Sequence, residues 1–234
     1  MTLLDRFRAQ ARDTQSDPAA RLAFVEALPL TERDAIAAAA REDTDPRIRK
    51  AAVSKLMDPA ALAAIAREDQ DDGVRAQAVE MLRDLALEAF EEVGEAESLQ
   101  AIDAVPDQKS LVQIARSATR DDAALRALAR LTDVHGLGAV ARHAASEAAR
   151  LRAFAMIGER QAGEEILAVA LHSDFKDTAL AALELLPGRE ALEQVIARGR
   201  NKSAVKRARA ILRDRKSTRL NSSHVSESRM PSSA

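Results

Sequence analysis

The chain contains no cysteine, no tryptophan and no tyrosine among its 234 residues, and phenylalanine occurs only five times. Without cysteine there is no disulfide framework, no thiolate metal site and no thiol nucleophile. With aromatics at 2% of the chain, the core must be aliphatic and finely divided, and no indole or phenol is present to stack on a nucleobase. No apolar run reaches the roughly 18 residues a membrane span needs. The start carries Asp5, Arg6 and Arg8 and no signal-peptide core, so a cytoplasmic location with no membrane contact is expected.

Catalytic constellations are lacking as well. His135, His143 and His172 lie apart, none in a His-Glu-x-x-His pair, and read as surface or helix-end histidines. Gly136-Leu-Gly138 lacks the third glycine and the preceding strand of a dinucleotide loop, and there is no lysine P-loop and no nucleophile elbow. The carboxylates are many, with no sign of a perturbed pair. The expectation is a protein that is not an enzyme and holds no cofactor or metal.

What the chain does have is a repeated phrase. Asp45-Pro-Arg-Ile-Arg-Lys-Ala-Ala-Val-Ser-Lys-Leu56 returns as Asp71-Asp-Gly-Val-Arg-Ala-Gln-Ala-Val-Glu-Met-Leu82. Eight copies begin at Asp17, Asp45, Asp71, Gly94, Arg120, Ser146, Phe175 and Asn201, at spacings of 28, 26, 23, 26, 26, 29 and 26 residues. Each places apolar residues at its fourth, eighth, ninth and twelfth positions, one broad stripe at 100° per residue. Examples are Val74, Ala78, Val79 and Leu82, then Ala149, Ala153, Phe154 and Ile157, with Thr178, Ala182, Leu183 and Leu186 in the seventh copy.

A second phrase runs between copies: Ile36-Ala-Ala-Ala-Ala-Arg41, Leu62-Ala-Ala-Ile-Ala-Arg67, Leu111-Val-Gln-Ile-Ala-Arg116 and Leu137-Gly-Ala-Val-Ala-Arg142. Asp58 and Pro59 open one of these helices and Asp107 caps another, while the closing arginine suits the negative end of the helix dipole. Each unit therefore reads as helix, tight turn, helix. The abundant alanine lets helix axes approach closely while keeping helix propensity high.

The pattern Asp-x-x-Val-Arg-x-x-Ala-Val-x-x-Leu resembles the HEAT-like repeat over roughly residues 17 to 214, in the short variety also found in bilin lyases and in bacterial proteins of unassigned function. The match is strongest in the second and third copies and weakest in the fourth and eighth, where Gly94 and Arg209 do not suit their positions. The opening Met1-Thr-Leu-Leu-Asp-Arg-Phe-Arg8 followed by such repeats also resembles bacterial proteins that join HEAT-like repeats to a charged helical region. The resemblance implies an all-α fold, a right-handed α-solenoid of about eight short helix-turn-helix repeats. A leader helix is expected over 1–16, the repeats over 17–214 and a soft joint at 90–106.

The segment from Arg215 to Ala234 abandons both the period and the composition. It resembles translated adapter read-through in assembled environmental DNA, and is expected to be a non-native or disordered tail. The rest would then be the N-terminal part of a longer protein.

Arg21, Arg49, Arg75 and Arg150 all hold the fifth position of their copies. A cation there lies in the first helical turn, toward the positive end of that helix's dipole, and in a partly desolvated seam, so it needs a carboxylate. Asp17, Asp45, Asp71, Asp72 and Glu147 lie nearby in sequence. The HEAT-like resemblance implies a structural ladder of Asp and Arg joining successive repeats, made of Asp17, Arg21, Asp45, Arg49, Asp71, Arg75 and Arg150.

Charge is segregated. From Asp84 to Gln108 there are eight acids and no base, including Glu88, Glu91, Glu92 and Glu95. From Arg198 to Arg213 there are seven bases and no acid, including Arg200, Lys202, Lys206 and Arg207. Each run is a solvated face or a partner-binding site. The leading expectation is a protein-protein interaction scaffold using the curved face of the stack. The alternative is a nucleic-acid-binding or DNA-repair module, since certain HEAT-like proteins are alkylpurine DNA glycosylases that grip the duplex backbone. The formal net charge of −2 and the missing Trp and Tyr count against nucleic acid. A bilin lyase, a third possibility, would want aromatic lining.

Overall fold

The computed structural model describes residues 17–91, 93–186 and 188–227, with side chains described to residue 214. The expected leader helix over 1–16 lies outside the described residues. Every regular element among the described residues is an α-helix: α1 Pro18–Ala27, α2 Arg33–Glu42, α3 Pro46–Val53, α4 Pro59–Glu68, α5 Asp72–Ala86, α6 Glu95–Ala104, α7 Gln108–Ser117, α8 Asp121–Ala129, α9 Val134–His143, α10 Glu147–Glu159, α11 Gly163–His172, α12 Lys176–Leu185, α13 Arg189–Arg198 and α14 Lys202–Glu227. The helical backbone of α14 thus continues through the first thirteen residues of the segment expected to be a tail.

Helix starts follow from local chemistry. In seven of the eight copies the first residue is assigned as the N-cap of its helix, and in the eighth the Asn201 side chain accepts from Ser203 N and Ala204 N just ahead of α14. Asp17, Asp45, Asp71 and Ser146 accept from backbone N–H groups of the first turn, answering donors that no intrahelical carbonyl reaches. Gly94 has no side chain to offer, and Glu97 bends back instead to accept from Gly94 N at 3.1 Å, half of a capping box. The second-phrase helices open on Asp58, Asp107 and Asp133 in the same way.

The contacts divide the chain into two compact units, one ending at Leu131 and one beginning at Thr132. In the first, α1, α3, α5 and α7 pack in succession, as do α2, α4, α6 and α8, with α2 on α3, α4 on α5, α5 on α6 and α7 on α8 joining the rows. In the second, α9, α11 and α13 form one succession and α10, α12 and α14 the other. This is the neighbour-to-neighbour packing of a helical repeat.

The 23-residue spacing between the third and fourth copies has a structural consequence. No second-phrase helix fits between α5 and α6, so α6, which carries the first phrase, packs in the row of α2 and α4. The first unit therefore contains a change of phase. Residues 90–106 lie inside this unit, where α6 is tied to α5 by Ser98 Oγ donating to Ala86 O at 3.0 Å.

The cores are aliphatic. Ile36, Ile48, Leu62, Leu82, Leu85, Ile102, Leu111, Ile114 and Leu128 are fully buried in the first unit, and Leu137, Val140, Ile157, Val169, Leu192 and Val195 in the second. At about 0.8 kcal/mol per buried methylene, each is a substantial contributor. Positions four, eight and twelve of the phrase are buried as expected: Val74, Ala78 and Leu82, then Ala149, Ala153 and Ile157. The ninth is buried in Val25, Val53, Ile102, Leu128 and Leu183 and half-buried in Val79 and Phe154. Arg209, the ninth residue of the eighth copy, is exposed, so a cation fits there after all.

Candidate functional site: the charged seams and the basic row

Three of the four fifth-position arginines share one geometry. Arg49 Nη1 donates to Asp43 O at 3.0 Å, Arg75 Nη1 to Asp69 O at 2.6 Å and Arg150 Nη1 to Ala144 O at 2.8 Å. Those carbonyls belong to the residues that cap the C-terminal ends of α2, α4 and α9. Each guanidinium thus compensates the negative end of the preceding helix, whose last carbonyls lack intrahelical donors. That is why a cation is stable in the first turn of its own helix.

The carboxylates facing these arginines are not the ones expected from sequence. Asp17, Asp45 and Asp71 cap helices, and the Asp45 side chain also holds exposed Arg47 at 2.6 Å, which brings its carboxyl down to about 2. Arg21 instead pairs with Asp43, with Nε–Oδ2 at 3.1 Å and side-chain exposures of 8% and 0%. Arg49 grips Asp69 by two bonds of 2.8 Å. That bidentate hydrogen bonding holds the Asp69 carboxyl below the usual range and raises Arg49. Asp43 and Asp69 each sit two residues before a copy begins, 22 and 20 residues from their arginines. Each also accepts from the first backbone N–H of that copy, at 2.8 and 2.9 Å.

Arg75 meets only exposed Asp72 on its own helix, in addition to the Asp69 carbonyl. Arg150, 6% exposed, has no carboxylate among its resolved partners; its guanidinium carbon lies 3.4 Å from the centroid of the Phe175 ring. Ser173 holds the place equivalent to Asp43 and Asp69, and its Oγ accepts from Phe175 N at 3.2 Å. The turn is retained while the ion pair is replaced by a cation-π contact.

Four of the eight acids in the acidic run are paired with arginines. Arg120 from the next copy binds Glu88, Glu95 at 3.2 Å and Asp122 at 2.5 Å, and Arg126 binds Asp103 at 2.5 Å. Arg83 takes Asp84 at 3.2 Å, and Asp107 caps α7. Glu91 is exposed, and Glu92 lies outside the described residues.

The basic run behaves differently. Arg207 pairs with Glu184 of α12 at 3.0 Å, whereas Arg198, Arg200, Lys202, Lys206, Arg209 and Arg213 are exposed. On α14, Lys202, Lys206, Arg209 and Arg213 recur at four, three and four residues, which places them within about 60° of one another around the helix axis. Buried Ala204 and Ala208 lie on the other side.

The histidines are helix-end groups. His143 Nδ1 is 2.6 Å from Asp174 Oδ2, and His135 Nδ1 is 2.8 Å from Glu165 Oε1. Glu165 also holds Arg142 at 2.8 Å. Gly138 leaves the space for that carboxylate on α9, because a Cβ there would overlap Glu165 Oε2. His172 Nδ1 is buried and unpartnered among the described residues. Burial first, then Arg200, Arg142 and His143, lower its pKa. No group of three His, Asp or Glu side chains among the described residues is placed to hold a metal ion, and no helix among them is long and apolar enough to cross a membrane.

The chain matches no family model, no curated protein and no solved structure.

Proposed function

We propose that this protein is a non-catalytic protein-interaction scaffold, a HEAT-like right-handed α-solenoid whose outer surface holds a protein partner in the cytoplasm. The observation that carries the reading is the division of labour among charges. Arg21 with Asp43, Arg49 with Asp69, Arg142 with Glu165, and Arg150 with its carbonyls are enclosed in seams between helices, where they fix packing rather than face a substrate. The unpaired bases of α14 point outward, available to a partner.

Small adjustments at successive seams let such a surface adapt to a large ligand. The same reading makes this chain the N-terminal arm of a longer protein and assigns it no cofactor. Affinity capture with the full chain at 150 mM salt tests it. The expected result is one or a few saturable, stoichiometric protein partners released unchanged. Chemical conversion of a captured partner, or capture of nucleic acid alone, would overturn the reading.

A further inference from the structure

We propose that the basic row of α14 is a docking site for an acidic, amphipathic segment of a partner protein. The proposal rests on the scaffold reading and adds the chemistry of the partner.

The row is formed by Lys202, Lys206, Arg209 and Arg213, all exposed. It extends over about 16 Å of helix axis at 1.5 Å per residue. None of the four has a carboxylate within ion-pair distance among the described residues, unlike Arg207 on the flank, which Glu184 neutralises. Four like charges along one face repel one another, and a negatively charged ligand relieves that repulsion.

Two further observations favour a protein segment over a nucleic acid. The first is apolar. In the same row of helices, Leu151 of α10 and Leu185 of α12 are 45% and 49% exposed, the largest solvent exposures of leucine outside a loop among the described residues. Leu185 Cδ1 packs over Gly158 of α10, 3.6 Å from where a Cβ there would stand, which leaves the rest of the leucine open to solvent. Phosphate backbones make no use of exposed leucines, whereas an amphipathic segment carries both acids and apolar anchors.

The second is electrostatic. Residues 17–131 carry 23 acids against 15 bases and residues 132–214 carry 11 against 13. Outside the row, residues 132–214 carry 11 acids against 9 bases, so a long polyanion gains little beyond the row, while a short acidic segment responds to the row alone, since screening limits its reach to about 8–10 Å.

The test is to pan a display library of random 16-residue peptides against the full chain at 150 mM salt, then measure binding of enriched peptides to the wild type and to K206E/R209E. The substituted side chains are exposed, and an unchanged circular dichroism melt verifies folding. The expected peptides are rich in Asp and Glu with Leu, Ile or Phe at helical spacing, and bind the variant at least tenfold more weakly. L185S weakens them by a smaller factor.

Enriched peptides that lack acids, or that bind K206E/R209E as well as the wild type, overturn the proposal while leaving the scaffold reading standing. Failure of any peptide to enrich, together with failure of affinity capture, removes both. Tighter binding of a 20-base-pair DNA duplex than of any selected peptide, lost in the same variant, assigns the row to nucleic acid and overturns the proposal.

Discussion

The two units solve the same electrostatic problem in different ways. Through Leu131, a buried arginine at the fifth position of a copy finds a carboxylate on the next seam, as Arg21 finds Asp43 and Arg49 finds Asp69. From Thr132 onward, Arg150 occupies the equivalent site and meets the face of Phe175, because Ser173 stands where the aspartate would be. In both, a carbonyl at the end of the preceding helix takes one guanidinium N–H. For Arg49, Arg75 and Arg150 the helix-end carbonyl recurs, and the second partner is replaceable. In the second unit, buried Arg150 Nε has no hydrogen-bond partner among the described residues, and the face of Phe175 supplies the negative potential that a carboxylate supplies in the first.

The sharpest break in this comparison is Asp43→Ala. It removes the Asp43 carboxylate from buried Arg21 and the same carboxylate's acceptor oxygen from Asp45 N, so unfolding should cost about 3 to 5 kcal/mol less, measured by denaturant titration. A loss below about 1 kcal/mol would mean that the pair is dispensable. Next in size is Gly138→Ala in the second unit. The new methyl displaces Glu165 and leaves Arg142 short of a partner, for a loss of about 1 to 3 kcal/mol. Replacing Glu165 by Gln in the Gly138→Ala background should then add little, since the pair is already broken.

Phe175→Ala should cost about 1 to 2 kcal/mol through the lost contact with Arg150. Adding Ser173→Asp should recover part of it by giving the second unit the carboxylate that the first uses. If the double variant is no more stable than Phe175→Ala, the two sites are equivalent in sequence only.

The smallest effect is a difference in pH response. Residues 17–131 contain no histidine, while the half-buried His172 in the second unit has a pKa below its ordinary 6.5. The unfolded chain therefore takes up that proton first, and stability is lost as pH falls below about 6.5. Hydrogen exchange from pH 7 to 5.5 should show the second unit opening more readily and the first unchanged, and His172→Gln should flatten the response. The depressed carboxyls of Asp69 and Asp45 act lower, with stability lost as pH falls below 3.8.

Limited proteolysis bears on the joint expected at 90–106. First cuts there would support it, and first cuts elsewhere would place the softest segment outside the seam that Ser98 and Arg120 tie together.

The copy starts were legible because an N-cap is a local event: Asp17, Asp45, Asp71 and Ser146 serve donors two or three residues away. The second-phrase helices at 163–172 and 189–198 were less legible. Leu171 replaces the closing arginine in one, and Arg198 in the other falls one residue late. Still, Ile166 and Val169 keep the phrase's apolar spacing and would have revealed the first.

The basic run was visible as a run, but its division was not. Arg207 is neutralised by Glu184, 23 residues away, while Lys202, Lys206, Arg209 and Arg213 form the exposed row.

The sequence by itself determined the helices, their caps, the period and the aliphatic core, because propensity, capping and amphipathicity act within a few residues. Only the tertiary structure decided which carboxylate each buried arginine takes, that Arg120 and Arg126 pair with Glu88, Glu95 and Asp103 of the acidic run, and that α6 packs in the row of α2 and α4. Those outcomes join residues 20 to 32 positions apart. At that separation a pairing depends on which helices stack side by side, and the repeat makes several carboxylates equally near in sequence while only one is near in space.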